Sequence, residues 1–238
     1  MTHQVRQFDS QRIYHIVLKT IDDNLLFKDI NDYYRGIFTI YELNNSGAIT
    51  IQRRRKIRNR LKKSGGDKTP FTDERDKLVK ILAFCFMPNH LHLLIQQLKD
   101  EGISRFMQKI GGGYAGYYNR KYQRKGHLFQ DRFKAVYIED DNQLRVVFVY
   151  IHTNPVALIE SNWKEKGIKN PDRAIEVIEN YRWSSYQDYL GKKNFPSVTN
   201  RDFLTEVIGG PDRVRLIVND WVQYKGEISG GSAHLSLE

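Results

Sequence analysis

The chain has 238 residues, 40% of them apolar, with 38 Lys and Arg against 28 Asp and Glu and a net charge of +10. That balance supports one generous packed domain, excludes wholesale disorder, and suits a polyanionic partner, either nucleic acid or an acidic membrane surface. A single cysteine, Cys85, excludes an internal disulfide; the start "MTHQVRQFDSQR" has no secretory apolar region, and no apolar run approaches the roughly 20 residues that cross a bilayer, so the expectation is a cytoplasmic protein with no membrane partner.

"RIYHIVLKTI" alternates and is rich in β-branched and aromatic residues, which predicts a first strand. "NDYYRGIFTIYELNNSG" predicts a helix closed by a turn. Between Arg53 and Lys63, eight of eleven residues are Lys or Arg with no acid, a block that repels itself unless solvent or a polyanion screens it. "LVKILAFCF" is a short continuous apolar run, as in a strand buried on both faces. Pro88 and Asn89 turn the chain into "HLHLLIQQ", so the two strands form a hairpin. "ISRFMQKIGGGYAGYYNRKYQR" reads as a helix with its three glycines as a weak point or kink. A strand is expected at Lys134 to Ile138. "DNQLRVVFVYIHTNPVALIE" has a helical apolar pattern with Asp and Asn at its start as N-caps. Pro155 biases Asn154 away from helical angles, ending that helix at His152 or Thr153. "RWSSYQDYLG" predicts a short aromatic helix, and Arg201 to Gly226 two more split by Gly-Gly-Pro; "EISGGSAHLSLE" reads as a frayed end. The order β-α-β-β-α-β-α predicts a ferredoxin-like or RRM-like α+β antiparallel sheet with helices on one face and a C-terminal helical extension.

Three groups of residues can carry chemistry. On a strand, His90 and His92 share one face while Leu91 and Leu93 take the other. Two neutral imidazoles side by side can bind one divalent cation, though half-exposed histidines on an open sheet explain the same pair. Tyr150 and Asn154 are i and i+4 on a helix, with His152 facing elsewhere; a phenol beside a metal ligand can attack phosphorus. Tyr117, Tyr118 and Tyr122 are rivals for that role. "YYNRKYQRKGHLFQDRFK" interleaves Arg120, Lys121, Arg124, Lys125, Arg132 and Lys134 with aromatic rings, a pattern that fits a nucleic-acid backbone with unpaired bases or, equally, a solvated helix over an aromatic core. Arg53, Arg54 and Arg55 in the basic block are further candidates for phosphate contact.

Four blocks together resemble the HUH single-tyrosine transposases, and within them the REP-associated tyrosine transposase branch. "IYHIVLKT" is similar to the family's first strand, with Lys19-Thr20 where Arg-Gly is common. "MPNHLHLLI" matches its Met-Pro-Asn-His-hydrophobic-His. "YYNRKYQRKGHLFQDRFKA" resembles its aromatic and basic stretch, and "YIHTNPV" with "YRWSSYQDYLG" its nucleophile helix and Trp-Ser-Ser-Tyr block. The likeness spans roughly residues 12 to 191. It implies a single transposase domain over 1–191, carrying a basic insertion at about 52–68, with an additional helical unit and tail over 192–238. It also implies His90, His92 and Asn154 as ligands of Mg²⁺ or Mn²⁺, and Tyr150 as the nucleophile that leaves a 5′-phosphotyrosine and a free 3′-OH. The implied partner is single-stranded or hairpin DNA, the implied setting the bacterial cytoplasm and nucleoid, and relatives commonly act as homodimers. A binder that kept the fold without nicking, and a phosphodiesterase that uses water, are the competing classes.

Overall fold

A computed structural model describes residues 7–48, 73, 75–130 and 132–230. The expected basic cluster, Arg53, Arg54 and Arg55 included, lies outside the described residues. Strands β1 (Ile13–Lys19), β2 (Val79–Met87), β3 (His90–Gln97) and β4 (Lys134–Tyr137) form one sheet in the order β2-β3-β1-β4, every neighbouring pair antiparallel. That is the ferredoxin-like arrangement, with β1 central because β2 and β3 pair through the two-residue Pro88-Asn89 turn.

Alternation on the strands builds two cores. Tyr14, Ile16 and Leu18 of β1, Phe84 and Phe86 of β2, and Leu91, Leu93 and Ile95 of β3 bury one face. Helices α1 (Ile30–Glu42) and α2 (Gly102–Lys121) cover it with Ile37, Ile40, Phe106, Ile110 and Tyr114. Two glycines permit that closeness. A Cβ on Gly36 would stand 2.7 Å from the Phe86 ring, and one on Gly113 would stand 2.7 Å from Leu43 Cδ1. Helix α2 therefore runs as one 20-residue element through Gly111, Gly112 and Gly113, where a kink was expected; packing against α1 outweighs the glycines' weak propensity.

The opposite face is not left to solvent. Helix α3 (Asp141–Thr153) lays Leu144, Phe148 and Ile151 over Ala83, Cys85, Met87 and Leu94. Its N-cap is Asp140, one residue before the expected Asp and Asn, and its carboxylate accepts from the Gln143 N–H at 2.8 Å. The helix ends at Thr153, then tightens into a 3-10 turn over Asn154–Leu158. Asn154 keeps helical angles (φ −51°, ψ −35°) in spite of Pro155. Its side-chain amide donates to the Tyr150 carbonyl at 2.7 Å, which ties the last turn together where proline supplies no N–H.

Beyond it come α4 (Trp163–Lys166), α5 (Pro171–Asn180), α6 (Tyr186–Tyr189), α7 (Asp202–Ile208) and α8 (Pro211–Gly230). Val214, Val218 and Val222 of α8 are buried in the same core as α3, and Trp221 packs edge-on to Trp163 at 5.2 Å. Part of the expected frayed end, through Gly230, belongs to α8. The Trp-Ser-Ser block covers the outer edge of β2: the Phe86 N–H donates to Trp183 O and the Ser185 N–H to Phe84 O. Ser185 Oγ also lies 2.8 Å from His152 Nε2, locking α3 onto the sheet. No helix among the described residues is long and apolar enough to cross a membrane.

Candidate active site

Antiparallel register places the site. His92 stands opposite Val17 and Cys85, His90 opposite Lys19 and Met87, and Val17 opposite Lys134. Directly paired residues share a face. Lys19, His90, His92 and Lys134 therefore lie on the α3 side, and His15, opposite Leu94, joins them. Leu91 and Leu93 are in the other core, as the alternation predicts.

Helix α3 brings Tyr150 over this face. Its ring centroid lies 5.6 Å from that of His92 and 5.8 Å from that of His15, edge-on to both. The His90 and His92 rings are 4.9 Å apart. His152, two residues on, points into the core against Phe148 and Tyr189. Asn154 is buried, and its Oδ1 accepts from Lys164 Nζ at 3.2 Å. The same ammonium donates to Tyr150 Oη at 2.7 Å and lies 4.5 Å from the Tyr150 ring centroid.

The three histidines are held neutral. Burial pushes His90 and His15 down to about 4, and Lys164 adds to the effect on both, with Lys19 also acting on His90. His92 is held well below the usual imidazole range, first by burial and then by His90, His15, Lys164 and Lys19. Neutral imidazoles keep a lone pair for a metal. His92 Nε2 is buried with no hydrogen-bond partner among the described residues, and its Nδ1 is 2.9 Å from His15 Nε2. A buried, unpartnered ring nitrogen next to a second neutral imidazole suits a divalent cation. Among the described residues no group of three His, Cys, Asp or Glu could hold one, and Asn154 Oδ1, the third ligand the family resemblance implies, accepts from Lys164 Nζ.

The rival tyrosines lie elsewhere. Tyr118 Oη donates to Leu25 O, while Tyr117 and Tyr122 donate to the buried Asp32 carboxylate. These residues belong to the α1–α2 side. Lys121, one of the expected DNA contacts, pairs with Asp29 at 2.7 Å and Asp32 at 2.6 Å. Burial raises Asp32, yet hydrogen bonds from Lys121, Tyr122, Lys28 N–H and Tyr117 outweigh it and hold the carboxyl below its ordinary value. Arg120, Lys125 and Lys134 are exposed, Arg124 reaches Asn119 and His127 O at 3.4 Å, and Arg132 is exposed near β4. Of the expected DNA contacts among the described residues, Lys134 shares the histidine face by register.

Sequence reasoning missed His15 and Lys164. His15 was visible as part of an alternating strand, but its pairing with β3 was not. Lys164 follows Tyr150 by 14 residues on a separate short helix, and nothing local marks it.

Comparison with curated proteins gives no match. Among solved structures, a REP-associated tyrosine transposase bound to a REP hairpin is similar at 16% identity and a TM-score of 0.47, over 85% of this chain and 93% of that one. A family model described as "Transposase IS200 like" matches residues 39–154, just under half of the chain. Residues 39–154 of this chain, which carry His90, His92, Tyr150 and Asn154, thus match the IS200-like transposases.

Proposed function

We propose that the protein is a metal-dependent DNA strand-transferase in which Tyr150 is the nucleophile. The observation that carries this reading is the position of Tyr150 over the sheet face that holds His90 and His92. The Tyr150 oxygen attacks a phosphate of single-stranded DNA beside a hairpin. An Oη–P bond forms and the P–O3′ bond breaks. The phenol proton is given up, the 3′ oxygen leaves with a proton, and the 5′ end stays on the protein. Attack by a 3′-OH on the phosphotyrosine reverses the bond changes and joins strands, so the phosphodiester energy is conserved.

His90, His92 and Asn154 would hold Mg²⁺ or Mn²⁺, which supplies charge to polarise the phosphate. The chain's own residues do the rest. Lys164 donates to Tyr150 Oη and so orients the phenol and offsets charge as the oxygen becomes a leaving group. Lys19 and Lys134 flank the histidines and attract the backbone. The net charge of +10 supports a nucleic-acid partner. Hairpin DNA as the substrate, bacterial cytoplasmic location at the nucleoid, and a homodimer as the working form extend the family likeness. So does the division into a transposase domain over 1–191 and an added helical unit over 192–238.

The test is a labelled hairpin oligonucleotide with a single-stranded flank, incubated with Mn²⁺ and run on a denaturing gel. A covalent protein–DNA band that requires Mn²⁺ is the expected result. Binding without cleavage would favour the non-nicking binder. Cleavage that persists in Tyr150→Phe would favour water as the nucleophile.

A further inference from the structure

Each imidazole has two nitrogens, and when neutral only one of them offers a lone pair. Which one is fixed by the partner of the other. The structure settles this for His90 through a short chain of contacts. Asn89 Nδ2 donates to the Asp23 carboxylate at 3.3 Å, which turns the amide so that Oδ1 faces His90 Nδ1 at 2.6 Å. A carbonyl oxygen only accepts, so the proton sits on Nδ1 and Nε2 is bare.

For His92 the partner is His15, whose Nε2 is 2.9 Å from His92 Nδ1 in nearly parallel rings. One of those two nitrogens carries the bridging proton. If His15 carried it, the His92 proton would sit on Nε2, a buried N–H with no acceptor among the described residues and in the positive field of Lys164 and Lys19. A buried donor without an acceptor is costly, and a positive field favours a bare nitrogen over an N–H.

We propose that Asn89 and His15 are positioning residues that hold His90 and His92 with their protons on Nδ1, so that both Nε2 lone pairs are offered to one divalent cation on the face beneath Tyr150. The metal role rests on the proposed function; the tautomers do not.

The test uses the full chain labelled with ¹⁵N-histidine, metal-free at pH 7, read by long-range ¹H–¹⁵N correlation, with signals assigned by His90→Gln and His92→Gln. Both ligand histidines are expected as Nδ1–H tautomers. In His15→Leu, His92 should move toward the Nε2–H form, and Mn²⁺ affinity, read as free Mn²⁺ by electron paramagnetic resonance, should fall roughly tenfold or more. His15→Gln, whose Oε1 can accept from Nδ1–H, should recover most of both. Asn89→Ala should do to His90 what His15→Leu does to His92, with Asn89→Asp restoring it. Finding Nε2–H on either histidine in the unaltered protein overturns the proposal. So does an unchanged His92 tautomer and Mn²⁺ affinity in a His15→Leu protein whose circular dichroism melt shows it folded. Nδ1–H on both histidines with no Mn²⁺ binding supports the positioning role and contradicts the metal reading instead.

Discussion

Lys164 Nζ lies 2.7 Å from Tyr150 Oη and 3.2 Å from Asn154 Oδ1, so one ammonium from α4 joins the candidate nucleophile to the candidate ligand four residues along α3. In the proposed reaction, that donor points at the atom on which charge would develop as the phosphotyrosine is resolved. Lys164→Met should slow formation and reversal of the covalent adduct by roughly ten- to a hundredfold, in line with the loss of one charge-stabilising donor. Lys164→Arg should retain part of the rate, and hairpin affinity should change little in either. Single-turnover gel assays measure the rates; equal rates in Lys164→Met and the unaltered protein would remove Lys164 from the mechanism.

Acid should unfold the protein earlier than its carboxylates alone predict. Burial holds His15 and His90 down to about 4 and His152 down to about 3. Their unfolded value is near 6.5, so the unfolded chain binds more protons and stability rises with pH. The contribution is complete above about 6.5 and is lost as pH falls toward about 4, at up to about 1.4 kcal/mol per pH unit for each histidine. Urea denaturation at pH 7, 6 and 5 checks this, and His152→Gln should flatten the slope. A stability that does not change between pH 7 and 5 would contradict it.

The buried Asp32 carboxylate accepts from Lys121, Tyr117, Tyr122 and the backbone of Lys28. It is one end of a capping box with Asp29 at the start of α1. Asp32→Ala leaves an ammonium and two phenols without their shared acceptor. A loss of about 3 kcal/mol in urea unfolding is expected, with the isolated metal affinity of the distant histidine face unchanged. An effect below about 0.5 kcal/mol would show that the network is solvated.

Lys134 is exposed on the histidine face of edge strand β4, where it can reach a phosphate. Lys134→Ala should weaken hairpin binding and reduce the slope of log affinity against log salt by about one. Lys121→Ala should leave that slope nearly unchanged, because Lys121 is already paired with Asp29 and Asp32. Fluorescence anisotropy over a salt series separates the two.

Much of the sheet was legible because its strands alternate or run apolar over lengths that only strands fit. The His90 and His92 face followed from a period of two, and the Pro88-Asn89 turn made the hairpin. The helix of Tyr150 was legible too, though Asn154 stayed helical where the proline rule predicts otherwise, because its own amide bonds back to Tyr150 O. What sequence could not supply was contact between distant elements. His15 meets His92 across 77 positions and Lys164 reaches Tyr150 from another helix; neither carries a local signal. Lys121 shows the converse: a residue that composition marks for DNA is held by carboxylates that lie about 90 positions away.

The central claim is that the phosphotyrosine forms on Tyr150, and the adduct itself can be mapped. After reaction with the hairpin and Mn²⁺, nuclease trimming and trypsin release Val146–Lys164, in which Tyr150 is the one tyrosine. Mass spectrometry should find the nucleotide phosphate on that peptide. Finding it on the peptides that carry Tyr117, Tyr118 or Tyr122, or cleaved DNA with no modified peptide at all, would contradict the account.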